Sequence, residues 1–145
     1  MLVYPSDFPD PFLLRVGDTW FAYSTQSGGR NVQVLSSRDL VSWQLLGDAL
    51  PDLPAWTRPG TSWSPSVLAT GSGFVLYVVV VERTYDRHAI AVAVSDTPEG
   101  PFRPDAQGPL VFQPYRGGSI DPDPFVDMDG NATLFWKTEI GRAHV

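Results

Sequence analysis

The sequence contains no cysteine, few charged residues and no long hydrophobic run. The lack of cysteine excludes disulfides, thiolate metal sites and cysteine nucleophiles. The longest apolar run, residues 74–81, has eight residues. It is too short to cross a membrane as a helix and is typical of a buried strand. Because no basic stretch followed by an apolar one opens the chain, these residues predict no signal peptide.

The charge balance is acidic. Charged residues make up 18% of the 145 positions, and the net charge is −6. Nucleic acids and anionic membranes attract basic surfaces, so an acidic chain argues against both as main partners. A neutral ligand such as a sugar is compatible with this charge. The 13 glycines and 14 prolines indicate many turns, while 43% hydrophobic residues suffice for a folded core.

Three segments share one layout with a period of roughly 55 residues. Each begins with a polar residue and a proline, followed by a short apolar strand, a turn and a second apolar strand. The segments are 10–23 (DPFLLRVGDTWFAY), 64–77 (SPSVLATGSGFVLY) and 121–136 (DPDPFVDMDGNATLFW). Such self-similarity at a fixed spacing is typical of repeat architectures.

Further strand patterns complete the first two repeats. Residues 32–36 and 43–46 follow the first segment, and residues 89–95 and an edge near Phe102 follow the second. Four short antiparallel strands per repeat predict β-propeller blades. A β-sandwich also has short strands and frequent turns, but the long internal period favours the propeller. We therefore expect an all-β propeller, of which these residues cover about two and a half blades.

The repeat also predicts a site. In a propeller the innermost strand of each blade lines the central channel, and here that strand follows each proline, which is tolerated at a strand start. Asp10, Ser64 and Asp121 should therefore occupy equivalent positions around one channel mouth. Two carboxylates that face one pocket are what glycoside hydrolysis requires. A lone Asp-Pro step is usually only a turn, so this hypothesis depends on the repeat.

Five motifs in order resemble glycoside hydrolase family 43. They are residues 10–20 (DPFLLRVGDTW), 37–43 (SRDLVSW), 63–67 (WSPSV), 93–102 (AVSDTPEGPF) and 119–122 (SIDP). Each motif alone is weak, and their common order makes the resemblance specific. It implies a five-bladed β-propeller that hydrolyses, with inversion, arabinofuranosides or xylosides of plant-type polysaccharides or oligosaccharides.

The resemblance also implies residue roles. Asp10 would be the general base that polarises the attacking water, and Asp121 the second carboxylate, which tunes the pKa of the general acid and orients it. The family's general acid is a glutamate on a later blade, and no position here matches it. We further expect Trp63, Phe8 and Ser119 to bind substrate, although packing within the fold is an alternative for the two aromatic residues.

The last seven residues resemble a translated sequencing adapter and continue no strand pattern. We therefore expect residues 1–138 to form the N-terminal part of a truncated propeller catalytic domain and residues 139–145 to be a non-native tail. Such a fragment should be inactive, because it lacks the acid.

No cofactor is expected, and the partner implied is a carbohydrate substrate rather than nucleic acid or membrane. Residues 127–130 (DMDG) resemble the start of a calcium loop but lack the later ligands, so a hairpin turn is favoured. A structural calcium in a complete propeller is compatible with the sequence but not indicated by it. The substrate class slightly favours an extracellular location.

Two other functions stay open. A retaining fructosidase-like propeller enzyme would use the first-blade aspartate as a nucleophile, but residues 9–12 (PDPF) depart from its usual Asn-Asp-Pro-Asn. A non-catalytic carbohydrate-binding propeller needs aromatic platforms and no acid. The anomer of the product separates the first from an inverting enzyme, and binding without turnover identifies the second.

Overall fold

The computed structural model describes residues 4–105 and 107–139, which form three antiparallel sheets. The strands are β1 Phe12–Val16, β2 Thr19–Ser24, β3 Gln33–Ser37, β4 Gln44–Asp48, β5 Thr57–Thr70, β6 Gly73–Glu82, β7 Arg87–Ser95, β8 Arg103–Pro104, β9 Ser119–Val126 and β10 Ala132–Thr138. Blade 1 contains β1 to β4, blade 2 contains β5 to β8, and blade 3 contains β9 and β10. A 3-10 turn, Pro114–Arg116, precedes blade 3. Within residues 4–105 and 107–139, no helix is long and apolar enough to cross a membrane.

Tight turns join the first two strands of blades 1 and 2. In blade 1, Val16 pairs with Thr19, so that Gly17 and Asp18 form a two-residue loop. Gly17 has a φ of +59°, a conformation that glycine adopts without a steric penalty. Because the loops are short, each segment of the repeat closes on itself as a hairpin, as the sequence predicts.

The core lies between blades 1 and 2. Strand β6 is its centre, and Val78, Val79 and Val80 are all fully buried. Burial of successive residues means that both faces of β6 are covered, since side chains alternate along a strand. This explains the eight-residue apolar run and confirms its prediction as a buried strand. From blade 1, Tyr23 and Leu50 pack into the same cluster.

One of the five motifs fastens blade 2 onto blade 1. In residues 93–102, the backbone N–H of Phe102 donates to the carbonyl of Ala49 at 2.7 Å. The hydroxyl of Tyr23 donates to the carbonyl of Pro98 at 2.5 Å, and burial raises the pKa of that hydroxyl. A side chain at Gly100 would place its Cβ 2.7 Å from the Ala49 oxygen. The motif therefore serves blade packing.

A second motif, residues 37–43, folds the loop between β3 and β4. The carboxylate of Asp39 accepts the N–H groups of Ser42 at 2.7 Å and Val41 at 2.9 Å. The hydroxyl of Ser37 accepts the N–H of Leu40 at 2.9 Å. The bonds to Asp39, led by that from Ser42, lower its pKa to about 2. This motif is a loop cap at the outer edge of the blade.

The predicted tail falls at the limit of the described residues. Residues 140–145 lie outside them. Glu139 is described, and its backbone N–H donates to the carbonyl of Gly118 at 3.1 Å. The division at residue 138 stays a prediction.

Candidate active site

The three polar-Pro steps form the same β-bulge. At each step two residues of the first strand lie opposite a single residue of the second. The flanking pairs are Pro9–Thr25 and Phe12–Tyr23 in blade 1, Trp63–Val79 and Ser66–Tyr77 in blade 2, and Ile120–Lys137 and Asp123–Phe135 in blade 3. The bulge leaves the proline nitrogen without a ladder partner, so β5 and β9 continue through it. The expectation that each strand begins at its proline is therefore wrong for blades 2 and 3.

The residue before each proline has a left-handed backbone. The φ angles are +49° at Asp10, +43° at Ser64 and +54° at Asp121. Such values are uncommon outside glycine, and aspartate is among the residues that tolerate them best. Three copies of one unusual conformation, at one position of the repeat, show that the steps are structurally equivalent.

The three steps converge on one cavity of about 290 Å³. Asp10, Ser64 and Asp121 all line it, together with the prolines that follow them. The structure thus brings together the three residues that the repeat places at the channel mouth. Their catalytic roles stay predictions.

Asp10 has one engaged carboxylate oxygen. Its Oδ2 accepts the hydroxyl of Thr25 at 2.7 Å. Thr25 belongs to the pair that flanks the bulge and is only 9% exposed. Within residues 4–105 and 107–139, no donor is within hydrogen-bonding distance of Oδ1. Asp10 itself is exposed, so this oxygen is open to water.

Asp121 has both carboxylate oxygens engaged. Its Oδ1 accepts the hydroxyl of Ser64 at 3.0 Å, and its Oδ2 lies 2.6 Å from the Nζ of Lys137. The hydrogen bond to Asp121, and then the charge of that carboxylate, raise the pKa of Lys137. The two aspartates thus differ in their surroundings although their backbones are alike.

Trp63 lies directly before the bulge of blade 2, is 38% exposed and is not among the residues that line the cavity. Its ring packs against that of His88 in a tilted arrangement, with a centroid separation of 4.2 Å and an interplanar angle of 37°. The Nδ1 of His88 is 2.6 Å from Oε2 of Glu139. Sequence reasoning missed this cluster, because it depends on the pairing of three strands and on the approach of blade 3.

The structure does not bring Phe8 and Ser119 to the cavity of Asp10. Phe8 is half-buried, meets Tyr4 edge-on at 5.7 Å, and lines a separate cavity of about 560 Å³ with Leu13 and Trp43. Ser119 is fully buried on the inner face of β9. Both residues are near a catalytic candidate in sequence, but the backbone directs them elsewhere.

The DMDG segment forms the hairpin turn that the sequence favours. Asp127 Oδ1 accepts the backbone N–H groups of Asp129 and Asn131, and Oδ2 accepts the Asn131 side-chain amide. These bonds, chiefly the one from the Asn131 side chain, lower the pKa of Asp127. The carboxylate is therefore used by its own turn. In the described part of the chain, no group of three or more His, Asp or Glu could hold a metal ion.

Known proteins match this chain over most of its length. The family model described as "Glycosyl hydrolases family 43" matches residues 2–144. The extracellular exo-alpha-(1->5)-L-arabinofuranosidase ArbA of Cellvibrio japonicus is 30% identical over 146 residues, which cover 90% of this chain and 41% of that protein.

Solved structures match as well. The crystal structure of a thermostable family-43 glycoside hydrolase has a TM-score of 0.78 and 27% identity, covering 89% of this chain and 41% of that one. A second match is CoXyl43, a GH43 beta-xylosidase/alpha-arabinofuranosidase from a compost microbial metagenome, solved in complex with xylotriose. Its TM-score is 0.71 and its identity 25%, and the match covers 88% of this chain and 41% of that one.

The chain spans about two fifths of the length of these relatives. The structural neighbours are five-bladed β-propellers, and this chain corresponds to roughly two of their blades. The predicted fold class is thereby confirmed. Since the family model covers almost every residue, the chain belongs to glycosyl hydrolases family 43.

Proposed function

We propose that the complete protein is an inverting glycoside hydrolase that cleaves arabinofuranosides or xylosides of plant-type polysaccharides or oligosaccharides. The observation that carries this proposal is the placement of Asp10 and Asp121 on equivalent bulges at one cavity. The family supports the reaction class, and the names of its relatives support the pentoside substrates.

Asp10 acts as the general base. Its Oδ2 is held by Thr25, whereas Oδ1 is open to water. In an inverting reaction this oxygen takes a proton from the water that attacks the anomeric carbon, while the bond to the leaving oxygen breaks and that oxygen receives a proton from the acid. We assign the acid to no residue of this chain.

Asp121 acts as a fixed negative charge. Donors occupy both of its oxygens, so it is poorly suited to take a proton from water. A negative charge beside the acid would hold that group in its protonated form until it is needed. The different surroundings of the two aspartates therefore support different roles for them.

Trp63 supplies a sugar contact. It precedes Ser64, which lines the cavity, and His88 covers one face of its ring. The part of the indole that stays exposed can stack on a pentose ring, because aromatic faces attract the C–H groups of sugars through dispersion. We also place the protein outside the cell, where ArbA is described as acting.

The test uses the full-length protein on chromogenic arabinofuranosides and xylosides and on arabinan and xylan. We expect hydrolysis of at least one substrate, inversion in the first product seen by ¹H NMR, and a loss of about 10²-fold or more in kcat for Asp10→Asn. Asp18→Asn, in the turn at the other end of β1, is the matched control and should leave kcat unchanged.

The alternatives give different results. Net retention would support a fructosidase-like enzyme and contradict the proposal. Calorimetric binding of arabino-oligosaccharides without turnover would support a binding propeller. Asp10→Asn with wild-type kcat would remove Asp10 from the mechanism.

A further inference from the structure

One chain of hydrogen bonds joins the two aspartates although they lie in different blades. The hydroxyl of Thr25 donates to Asp10 Oδ2 at 2.7 Å. The backbone N–H of Ser64 donates to Oγ1 of Thr25 at 2.9 Å, and the hydroxyl of Ser64 donates to Asp121 Oδ1 at 3.0 Å. The Nζ of Lys137 contacts the other carboxylate oxygen of Asp121, Oδ2.

The donor and the acceptor of each of these hydrogen bonds are defined. A hydroxyl carries a single proton, so Thr25 gives its proton to Asp10 and must accept from Ser64 with a lone pair. Ser64 gives its hydroxyl proton to Asp121 and its amide proton to Thr25. Both carboxylates are acceptors, and hydrogen bonds to an ionised group are the stronger kind.

Ser64 can reach both neighbours because of its backbone. With a φ of +43° it leaves the regular strand, so its N–H is free of the β5–β6 ladder and bonds to blade 1. Its hydroxyl bonds to blade 3. A single residue of blade 2 therefore contacts the aspartate of blade 3 directly and that of blade 1 through Thr25.

We propose that Thr25 and Ser64 are positioning residues that fix the two carboxylates relative to each other. Thr25 ties down Oδ2 of Asp10 and leaves Oδ1 as the oxygen that takes the proton from water. Ser64 holds Oδ1 of Asp121, and Lys137 holds Oδ2. This inference rests on the proposed function, because it assigns the pair to the reaction.

The roles predict an effect on kcat rather than on KM. Neither hydroxyl is assigned a sugar contact, so substrate binding should change little. A misplaced base lowers the rate of the chemical step. In the full-length enzyme, Thr25→Val and Ser64→Ala should each lower kcat by about tenfold or more while KM stays within about twofold. Thr25→Ser retains the hydroxyl and should restore most of kcat.

Two controls separate positioning from folding. Ser64→Gly removes the hydroxyl, and glycine adopts the left-handed backbone without steric strain. Because the hydroxyl is what positions Asp121, kcat should fall as much as in Ser64→Ala even though the backbone is better tolerated. Tyr23→Phe removes the hydrogen bond from the buried Tyr23 hydroxyl to the carbonyl of Pro98, 2.5 Å long, which joins blades 1 and 2 through residues that do not line the cavity. It should lower Tm and leave kcat unchanged.

Wild-type kcat in both Thr25→Val and Ser64→Ala would overturn the inference, and so would an equal loss in Tyr23→Phe. A wild-type enzyme that cleaves no substrate would instead overturn the proposed function. Crystal structures of the variants then decide the positioning claim. We expect the side chain of Asp10 to rotate in Thr25→Val and that of Asp121 in Ser64→Ala, and unmoved carboxylates in both variants would contradict it.

Discussion

Thr25 and Lys137 occupy the same position in their blades, and each donates a hydrogen bond to the aspartate of its own bulge. Thr25 lies opposite Pro9 and bonds Asp10 at 2.7 Å, while Lys137 lies opposite Ile120 and is 2.6 Å from Asp121. A neutral donor leaves its carboxylate with one open oxygen. The second carboxylate has both oxygens engaged, one by the Ser64 hydroxyl and one by the cation.

Replacing Lys137 with glutamine should weaken the folded protein in a pH-dependent manner. The pKa of Lys137 is raised by Asp121, so the contribution of the pair is complete below the unfolded value of about 10.4 and is lost as pH rises through the higher folded value. The difference in Tm between wild type and Lys137→Gln should therefore be constant from pH 7 to 9 and shrink above pH 10. A difference that grows with alkaline pH would contradict the ion pair.

Asp39 should stabilise the loop between β3 and β4 at neutral pH but not in acid. Its pKa is about 2, against roughly 3.9 in an unfolded chain, so its contribution is present above pH 4 and is lost as pH falls through 2. Melting of full-length Asp39→Ala across pH 2 to 7 should show a Tm deficit that disappears at the acid end. Arg38→Ala, the exposed neighbour in the same loop, should show no such trend.

Leu76 should be among the costliest positions to truncate. It is fully buried in the central strand, so Leu76→Ala leaves a cavity and should lower the free energy of unfolding by about 2–5 kcal/mol. Leu46 is 41% exposed on β4, and Leu46→Ala should change stability by at most about 0.5 kcal/mol. Denaturant unfolding of both variants makes the comparison, and equal losses would contradict the described core.

Residues 1–138 expressed alone should aggregate or form a molten state. Blade 3 exposes Phe125 at 56%, Phe135 at 58% and Trp136 at 44%, and blade 1 exposes Leu13 at 48%. Apolar faces and strand edges of this extent promote association. Light scattering and dye binding measure this, and a sharp, reversible melt of a monomer would refute the expectation.

The convergence of Asp10, Ser64 and Asp121 could be predicted because a repeat maps equal sequence positions onto equal places in space. The period carries this information without any coordinates. The period does not predict the bulge, because a bulge is defined by how two strands pair. The chemical partners Thr25 and Lys137 were missed for the same reason, since each lies across a ladder whose register the sequence does not state.

Phe8 and Ser119 illustrate the opposite limit. Phe8 precedes the predicted base and Ser119 opens the SIDP motif, and neither lines the cavity. Their distance in sequence from the aspartates does not fix where their side chains point. The left-handed backbone at Asp10 and Asp121 interrupts the regular alternation of side chains along the strand. Trp63, directly before the bulge of blade 2, is likewise not among the lining residues, and contact of all three with substrate stays a prediction.

The left-handed residue before each proline presents its side chain to the cavity from an equivalent backbone position in each of the three blades. In this protein those side chains are aspartate, serine and aspartate. A substitution there, by a residue that tolerates the left-handed backbone, changes the polar groups that the cavity offers to a ligand, because the side chain lies outside the pairing of the two strands.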